Sequence, residues 1–355
     1  MVNIQDLDNL EKINEVDKSG MLSVVAETPE MLLKAYDRSQ KTSLPKLKKI
    51  KQVVIAGMGG SAIAGDIVAG LLLDKAQVPV YVNRDYGIPS FVGSQTLFFA
   101  LSYSGDTEET LSAVKEAARA KAKIVCVASG GKLKELAESK LYPLYLIPSG
   151  YQPRAALPYL LVPVLRGLEE LGIISSFQEE LNKAVGTLQK LRGEYGASKP
   201  LRGNPVKQLA KKLLGKIPLI FAGQRSAAAA GLRLKTQFNE NSKVTALFNV
   251  FPELNHNEIV NLSVLNRSEH NFSLIFLRDE GDHERTKKRM EITKSLIGMQ
   301  LGGVSEIWSS GKAAMERNLS LIYFGDFLSV YLAFLQGIDP TPVEVIARLK
   351  KELMR

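Results

Sequence analysis

The chain has 355 residues, 45% of them hydrophobic and 23% charged, a mix that excludes wholesale disorder and leaves room for two domains of ordinary size. Its formal net charge of +9 is spread along the chain apart from VKQLAKKLLGK (206–216) and the terminal RLKKELMR, and no interleaved aromatic and basic motif occurs, so nucleic acid is not an expected partner while anionic substrates are favoured. The opening MVNIQDLDNLEKINEVDK is too charged to read as a signal peptide, and apolar runs such as YLLVPVL (159–165) stop short of the ~18 residues of a membrane span, so a cytoplasmic protein without a membrane partner is expected.

Residues 1–45 read as helical packing segments ending at Pro45. From Lys51 onward, short apolar runs alternate with longer amphipathic ones. VVIAG is followed by a helix from about Ser61, then PVYV (79–82), TLFFALS (96–102), a helix from about Thr107, KIVCVAS (123–129) and LYLIPSG (144–150). Strand alternating with helix predicts a parallel sheet covered on both faces. The single cysteine, Cys126, falls inside one of these strands and is expected to be a buried, inert thiol. A helical stretch from Ala155 to about Arg192 follows, and GEYGASKPLRGNP (193–205) has linker composition.

Two segments, IAGMGGSAIAGD (55–66) and LSYSGDTEET (101–110), each close a strand and open a helix. Helix amides carry partial positive charge, Gly59 and Gly60 let an anion reach the main chain, and the hydroxyls of Ser61, Ser102, Ser104 and Thr107 can donate to phosphate oxygens. No lysine lies in either loop, so this is not the Walker pattern, and a hydroxyl cradle suits a phosphomonoester better than a nucleotide tail. Residues 57–62 also satisfy GxGxxA, but the second strand ends in Asn83 and Arg84 rather than the acid a dinucleotide needs. Tight turns alone would explain one glycine loop, not two loops in phase.

The pattern then repeats. FAGQRSAAAAG (221–231) lines up with IAGMGGSAIAG (55–65), and LRDEGDHERT (277–286) with LSYSGDTEET. The hydroxyls are replaced: Ser102, Ser104 and Thr107 become Arg278, Glu280 and His283, and Glu280 is expected to repel phosphate. Two domains of one fold are predicted, 1–195 and 196–355, with the phosphate site in the first.

A second cluster joins NENSK (239–243) to ELNHNE (253–258). Glu240 follows the helical LRLKTQF and precedes a strand. Taken alone it would be an ordinary surface carboxylate. His256 lies between asparagines that can fix its tautomer, and a carboxylate base with a histidine is the minimum equipment for moving a proton between adjacent carbons. His270 and His283 lack such a setting and read as surface residues. No cluster has metal-ligand spacing, so neither a metal nor another cofactor is expected. The apolar SVYLAFLQG (329–337) reads as core in preference to interface.

GMGGSAIAGD, SYSGDTEET, PSGYQPRAALPY (148–159), NENSK, PELNHNE and GDFLSVYLAFLQGIDPTPVEVIARLK together resemble the bifunctional phosphoglucose/phosphomannose isomerases of the sugar isomerase (SIS) domain superfamily, in order from about residue 50 to 351. The resemblance implies two tandem SIS domains, each a parallel sheet between helices in a flavodoxin-like sandwich. It implies that Gly60, Ser61, Ser102, Ser104 and Thr107 hold the phosphate of a phosphorylated hexose and that Arg154 stabilises an enediolate. Glu240 would shuttle the proton between C1 and C2. His256 would help open the ring from the neighbouring subunit of a homodimer, and Lys350, with Lys351 adjacent, would assist at the sugar oxygens. Delivery of the proton to C1 gives fructose 6-phosphate, and to either face of C2 glucose or mannose 6-phosphate, without a metal. A non-catalytic sugar-phosphate regulator with the same fold is the alternative; it would be expected to carry a DNA-binding helical domain and to lack the Glu240 and His256 pair. Glucosamine 6-phosphate synthase would need a glutaminase domain with a leading cysteine.

Overall fold

The computed structural model describes residues 7–47, 49–264, 271–298, 301 and 303–353. His270 lies outside the described residues. Two parallel sheets organise the chain. The first contains β1 (Gln52–Ala56), β2 (Val80–Asn83), β3 (Thr96–Ser102), β4 (Lys123–Ala128) and β5 (Leu144–Leu146) in the order β2-β1-β3-β4-β5. The second contains β6 (Ile217–Gly223), β7 (Leu247–Phe251), β8 (Phe272–Arg278) and β9 (Val304–Trp308) in the order β7-β6-β8-β9. Matching β6 to β1, β7 to β2, β8 to β3 and β9 to β4 superposes the two orders, so the repeat read from the loops extends to the topology.

The strands are apolar along their whole length because helices cover both faces, and their period of two divides them between cores. Val53, Ile55, Leu97 and Phe99 face one way, into a core that runs without interruption from Leu7 to Leu335 and joins both sheets. Val54, Ala56, Phe98, Ala100 and Cys126 face the other way, into a smaller core of the first unit alone. Cys126 is fully buried, and loss of solvation pushes its thiol up to about 12, as its apolar strand predicted. The equivalent helices Gly59–Leu72 and Ser226–Gln237 pack against each other, bringing the two units' site-bearing loops to one seam.

Helix Ala314–Leu335 runs through the shared core between helices Gln178–Tyr195, Pro205–Leu213 and Ser226–Gln237. Val330, Tyr331, Leu332 and Ala333 are fully buried, so SVYLAFLQG is core as expected. The expectation that no stretch is long and apolar enough to span a membrane needs correcting: this helix is, with an 18-residue window of mean hydropathy 1.5 that is wholly buried in the protein. Glu316, Arg317 and Asp326 interrupt the run of letters and hid it in the sequence.

Three further differences have local causes. The stretch predicted from Ala155 to Arg192 is two helices, Leu157–Glu170 and Gln178–Tyr195, broken where Gly172 turns at φ +67°. The linker-like 193–205 is ordered: a 3-10 turn covers Leu201–Gly203, and the buried Asn204 side chain caps helix Pro205–Leu213 by accepting from the amides of Val206 (3.0 Å) and Lys207 (3.1 Å). The first predicted helix starts at Gly59, two residues ahead of Ser61, so both glycines belong to its first turn. The N-terminal segment forms helices Leu10–Val16, Met21–Ala26 and Thr28–Ser39, the last packed on Leu157–Glu170 and Gln178–Tyr195.

Candidate active site

The first sheet reverses its order between β1 and β3, and their carboxyl ends open the crevice where ligands of such sheets bind. The helices that follow, Gly59–Leu72 and Glu108–Arg119, both begin without a side-chain cap, so their first-turn amides remain available to an anion. In the second loop, Ser102 is fully buried and its oxygen accepts from the amides of Gly105 (3.1 Å) and Thr107 (3.3 Å) while pairing with the Thr107 hydroxyl at 2.8 Å. Ser102 thus shapes the turn and orients Thr107. Ser104 is exposed, its oxygen accepting from the Asp106 amide at 3.2 Å, and Ser61 is buried at the other helix start. Only glycine fits at position 105, where φ is +80° and a β-carbon would lie 1.8 Å from the Gly130 carbonyl oxygen.

The cradle touches the turn that carries Arg154. A β-carbon on Gly60 would come within 2.9 Å of the Pro153 carbonyl oxygen and 3.2 Å of Arg154 Cα, so glycine is what lets the helix start and the turn meet. Tyr103 secures the approach to that turn by accepting from the Tyr151 amide at 2.8 Å through its hydroxyl oxygen. Arg154 is 2% exposed, and its guanidinium reaches into the second unit. Nε donates to Asn241 Oδ1 at 2.6 Å, Nη2 to the carbonyls of Pro340 (2.8 Å) and Thr341 (2.9 Å), and Nη1 faces Glu240 Oε2 at 3.4 Å. Burial lowers its pKa and the Glu240 carboxylate opposes that shift, so the pair holds a charged guanidinium where water is scarce.

Glu240 stands on a π-turn, Phe238–Ser242, that continues helix Ser226–Gln237. Such turns are rare and cluster at functional sites, because the wider winding re-aims a side chain. Here it is fixed from three sides. Asn241 Nδ2 donates to the Ser329 hydroxyl at 2.9 Å, Ser242 Oγ to the Ser329 carbonyl at 2.5 Å, and Lys243, at φ +56°, turns back to donate to the carbonyls of Glu240 and Pro340. The Glu240 side chain keeps 27% exposure, open on one side and paired on the other. Asn241 and Lys243 were missed as contributors; both lie in NENSK, but their carbonyl and guanidinium partners sit about 90 residues away in sequence.

His256 and Lys350 are not brought to this cluster within one chain. His256 ends the 3-10 turn Glu253–His256, exposed to solvent, and Lys350 is exposed on helix Glu344–Leu353. Among the described residues neither is hydrogen-bonded or ion-paired to Arg154 or Glu240. The expectation that asparagines fix the His256 tautomer is corrected: Asn255 donates to the Thr293 hydroxyl at 2.8 Å and Asn257 to Glu253 Oε1 at 3.0 Å, each turned away to its own partner. His283 is exposed as expected. Among the described residues no three His, Cys, Asp or Glu side chains cluster as metal ligands. A cavity of about 850 Å³ lies at the amino ends of the first sheet's strands, lined by Ile50, Leu72, Lys75 and Phe177 and by none of the site residues.

Residues 202–353 match the family described as bacterial phospho-glucose isomerase C-terminal SIS domain, and residues 46–150 match the SIS domain. A bifunctional phosphoglucose/phosphomannose isomerase of Caldicellulosiruptor bescii is 44% identical over 334 residues, covering 94% of this chain and 98% of that protein. The chain belongs to the bifunctional phosphoglucose/phosphomannose isomerase family. A member of that family from Thermoplasma volcanium is 37% identical over 326 residues, covering 91% of this chain and 98% of the other. The D-glucosamine-6-phosphate 4-epimerase of Sulfolobus acidocaldarius is 30% identical, covering 89% of this chain and 94% of its own. Among solved structures, the C-terminal domain of glucosamine-fructose-6-phosphate aminotransferase from Francisella tularensis has a TM-score of 0.68 at 16% identity, covering 91% of this chain and 98% of that one, a likeness of fold.

Proposed function

We propose that this sugar-phosphate isomerase interconverts glucose 6-phosphate and mannose 6-phosphate with fructose 6-phosphate by metal-independent proton transfer through a cis-enediolate. The observation that carries the reading is the contact of Gly60 with the Arg154 turn, which sets the anion cradle of one unit beside the Glu240 and Arg154 pair that lies 3.4 Å apart at the seam. The phosphate sits on the uncapped helix starts among Gly60, Ser61, Ser104 and Thr107, with Ser102 beneath them. Glu240 takes the C2 proton of the open-chain aldose, the C1 carbonyl receives the electron pair, and Nη1 of Arg154 balances the enediolate charge. Return of that proton to C1, with the O2 proton passing to O1 as the C2 carbonyl forms, gives the ketose. The reverse reaction delivers it to either face of C2.

His256 and Lys350 complete the site in a homodimer. Supporting this, both lie exposed, and the helix bearing Lys350 leaves Val345, Ile346, Leu349 and Leu353 exposed at 77%, 41%, 59% and 60%, an apolar stripe left uncovered among the described residues. The deciding experiment incubates the purified protein with fructose 6-phosphate and EDTA and quantifies both aldose phosphates. Formation of both is the expected result. Neither product, with phosphosugar binding intact, would replace the isomerase with a regulatory protein.

A further inference from the structure

Beneath the Glu240 and Arg154 pair lies a second ion pair, outside the chemistry and fully inside the protein. Arg233, on helix Ser226–Gln237, is 3% exposed, and Asp326, in the middle of helix Ala314–Leu335, is 5% exposed. Nε and Nη2 of Arg233 donate to the two Asp326 oxygens at 2.9 and 2.8 Å, and Gln237 Nε2 adds a bond to Asp326 Oδ1 at 2.8 Å. Nη2 of Arg233 makes one more contact: it donates to the main-chain carbonyl of Arg154 at 2.8 Å. One rigid planar group therefore ties the backbone of Arg154 to the helix that continues into the Glu240 turn, while Asp326 locks that group to the central helix.

Stability is a poor reason to bury this pair, since apolar residues of similar volume commonly serve a core as well or better. Geometry is a better one. Arg154 contributes both the charge facing Glu240 and the main chain against which Gly60 packs, so displacement of its carbonyl would move the phosphate cradle and the base relative to each other. We propose that Arg233, held by Asp326, is a positioning residue that fixes Arg154 with respect to Glu240 and thereby sets the rate of proton transfer. The assignment rests on the isomerase reading.

Two variants test it. Arg233→Lys keeps a cation for Asp326 but lacks the fork needed to hold a carboxylate and a carbonyl together. The double variant Arg233→Met, Asp326→Leu removes both charges together, so neither is left buried alone, and takes away the bonds to the Arg154 carbonyl and Gln237 Nε2. For both, kcat with fructose 6-phosphate is expected to fall about ten- to a hundredfold, the loss typical of a displacement near 1 Å, with KM changed less than about threefold. The double variant should remain folded, with an unfolding temperature lowered by the bonds that Gln237 Nε2 and the Arg154 carbonyl lose. A folded variant with parental kcat overturns the proposal, as does a loss confined to the unfolding temperature. Should the double variant fail to fold, Arg233→Lys decides by the same split between kcat and KM. A parent protein that forms neither aldose phosphate would sink the isomerase reading itself and take this assignment with it.

Discussion

The two units share a strand order and differ at the same loop. In the first, both helix starts are uncapped and the loop offers hydroxyls. In the second, helix Ser226–Gln237 also starts uncapped, but the equivalent of the hydroxyl loop is filled by side chains engaged within the protein. Arg278, 4% exposed, is clamped by Glu306 at 3.0 Å and Glu291 at 2.6 Å and lies 4.8 Å from the Trp308 ring centroid. Asp279 accepts from Arg317 Nε at 2.6 Å, and His283 caps helix Glu284–Ile297 by accepting from the Arg285 amide at 3.0 Å. The Asp282 carboxylate lies so close to Gly223 that a β-carbon there would be 2.1 Å from Oδ1. Glu280, expected from the sequence to exclude phosphate, is exposed; the buried negative charges at this loop are Asp279 and Asp282. An anion site depends on what a loop leaves unpaired. The copy without that vacancy carries Glu240.

The largest effect comes from the base that the second unit contributes. Glu240→Gln should lower turnover at least about a hundredfold while phosphosugar still binds, measured by steady-state kinetics alongside calorimetric titration. Near-normal turnover would remove Glu240 from the mechanism. The next effect comes from transplanting the closed loop's residue into the open one. Ser104→Glu places a carboxylate where the cradle expects an anion. It should cut kcat/KM about ten- to a hundredfold, mostly through KM, since losing a charge-assisted bond costs roughly 1.5–3 kcal/mol before repulsion is added. An unchanged KM would move the phosphate away from Ser104.

Much of this division was legible in the sequence because it is written in local patterns. Strand alternation, paired loops and the exchange of Ser102, Ser104 and Thr107 for Arg278, Glu280 and His283 are all visible within windows of about ten residues. Arg154 and Glu240 were found as letters in motifs, by likeness to a family. What no window shows is that the Asn241 amide and the Pro340 and Thr341 carbonyls absorb most of one buried guanidinium, because those partners converge only when the two sheets pack on a common helix. That two buried acids, Asp279 and Asp282, stand beside Glu280 at this loop escapes the sequence for a related reason. Neighbouring acids look alike in sequence, and burial alone separates Asp279 and Asp282 from the exposed Glu280.

The smaller effects probe the closed loop itself. Burial, followed by the neighbouring Asp279 charge, pushes Asp282 up to about 6 from its ordinary 3.8, and its Oδ2 is buried with no hydrogen-bond partner. A carboxyl raised in the folded state stabilises the fold fully below about pH 4, and that contribution is lost as the pH rises through 6. The difference corresponds to about 3 kcal/mol between the two protonation states. Asp282→Asn, which imitates the neutral acid, should therefore raise stability at pH 7.5 by about 1–3 kcal/mol and give little or none of that gain at pH 4, read from urea unfolding midpoints. An equal gain at both values would show that the carboxyl titrates normally. Smallest of all should be Glu280→Ser, which restores the first loop's hydroxyl at an exposed position but leaves Asp279 and Asp282 in place. Stability should stay within about 0.5 kcal/mol, and titration should still find one phosphosugar per chain. A second bound phosphosugar would break the comparison, because it would mean that a single exposed carboxylate, rather than the buried pair behind it, keeps the second loop closed.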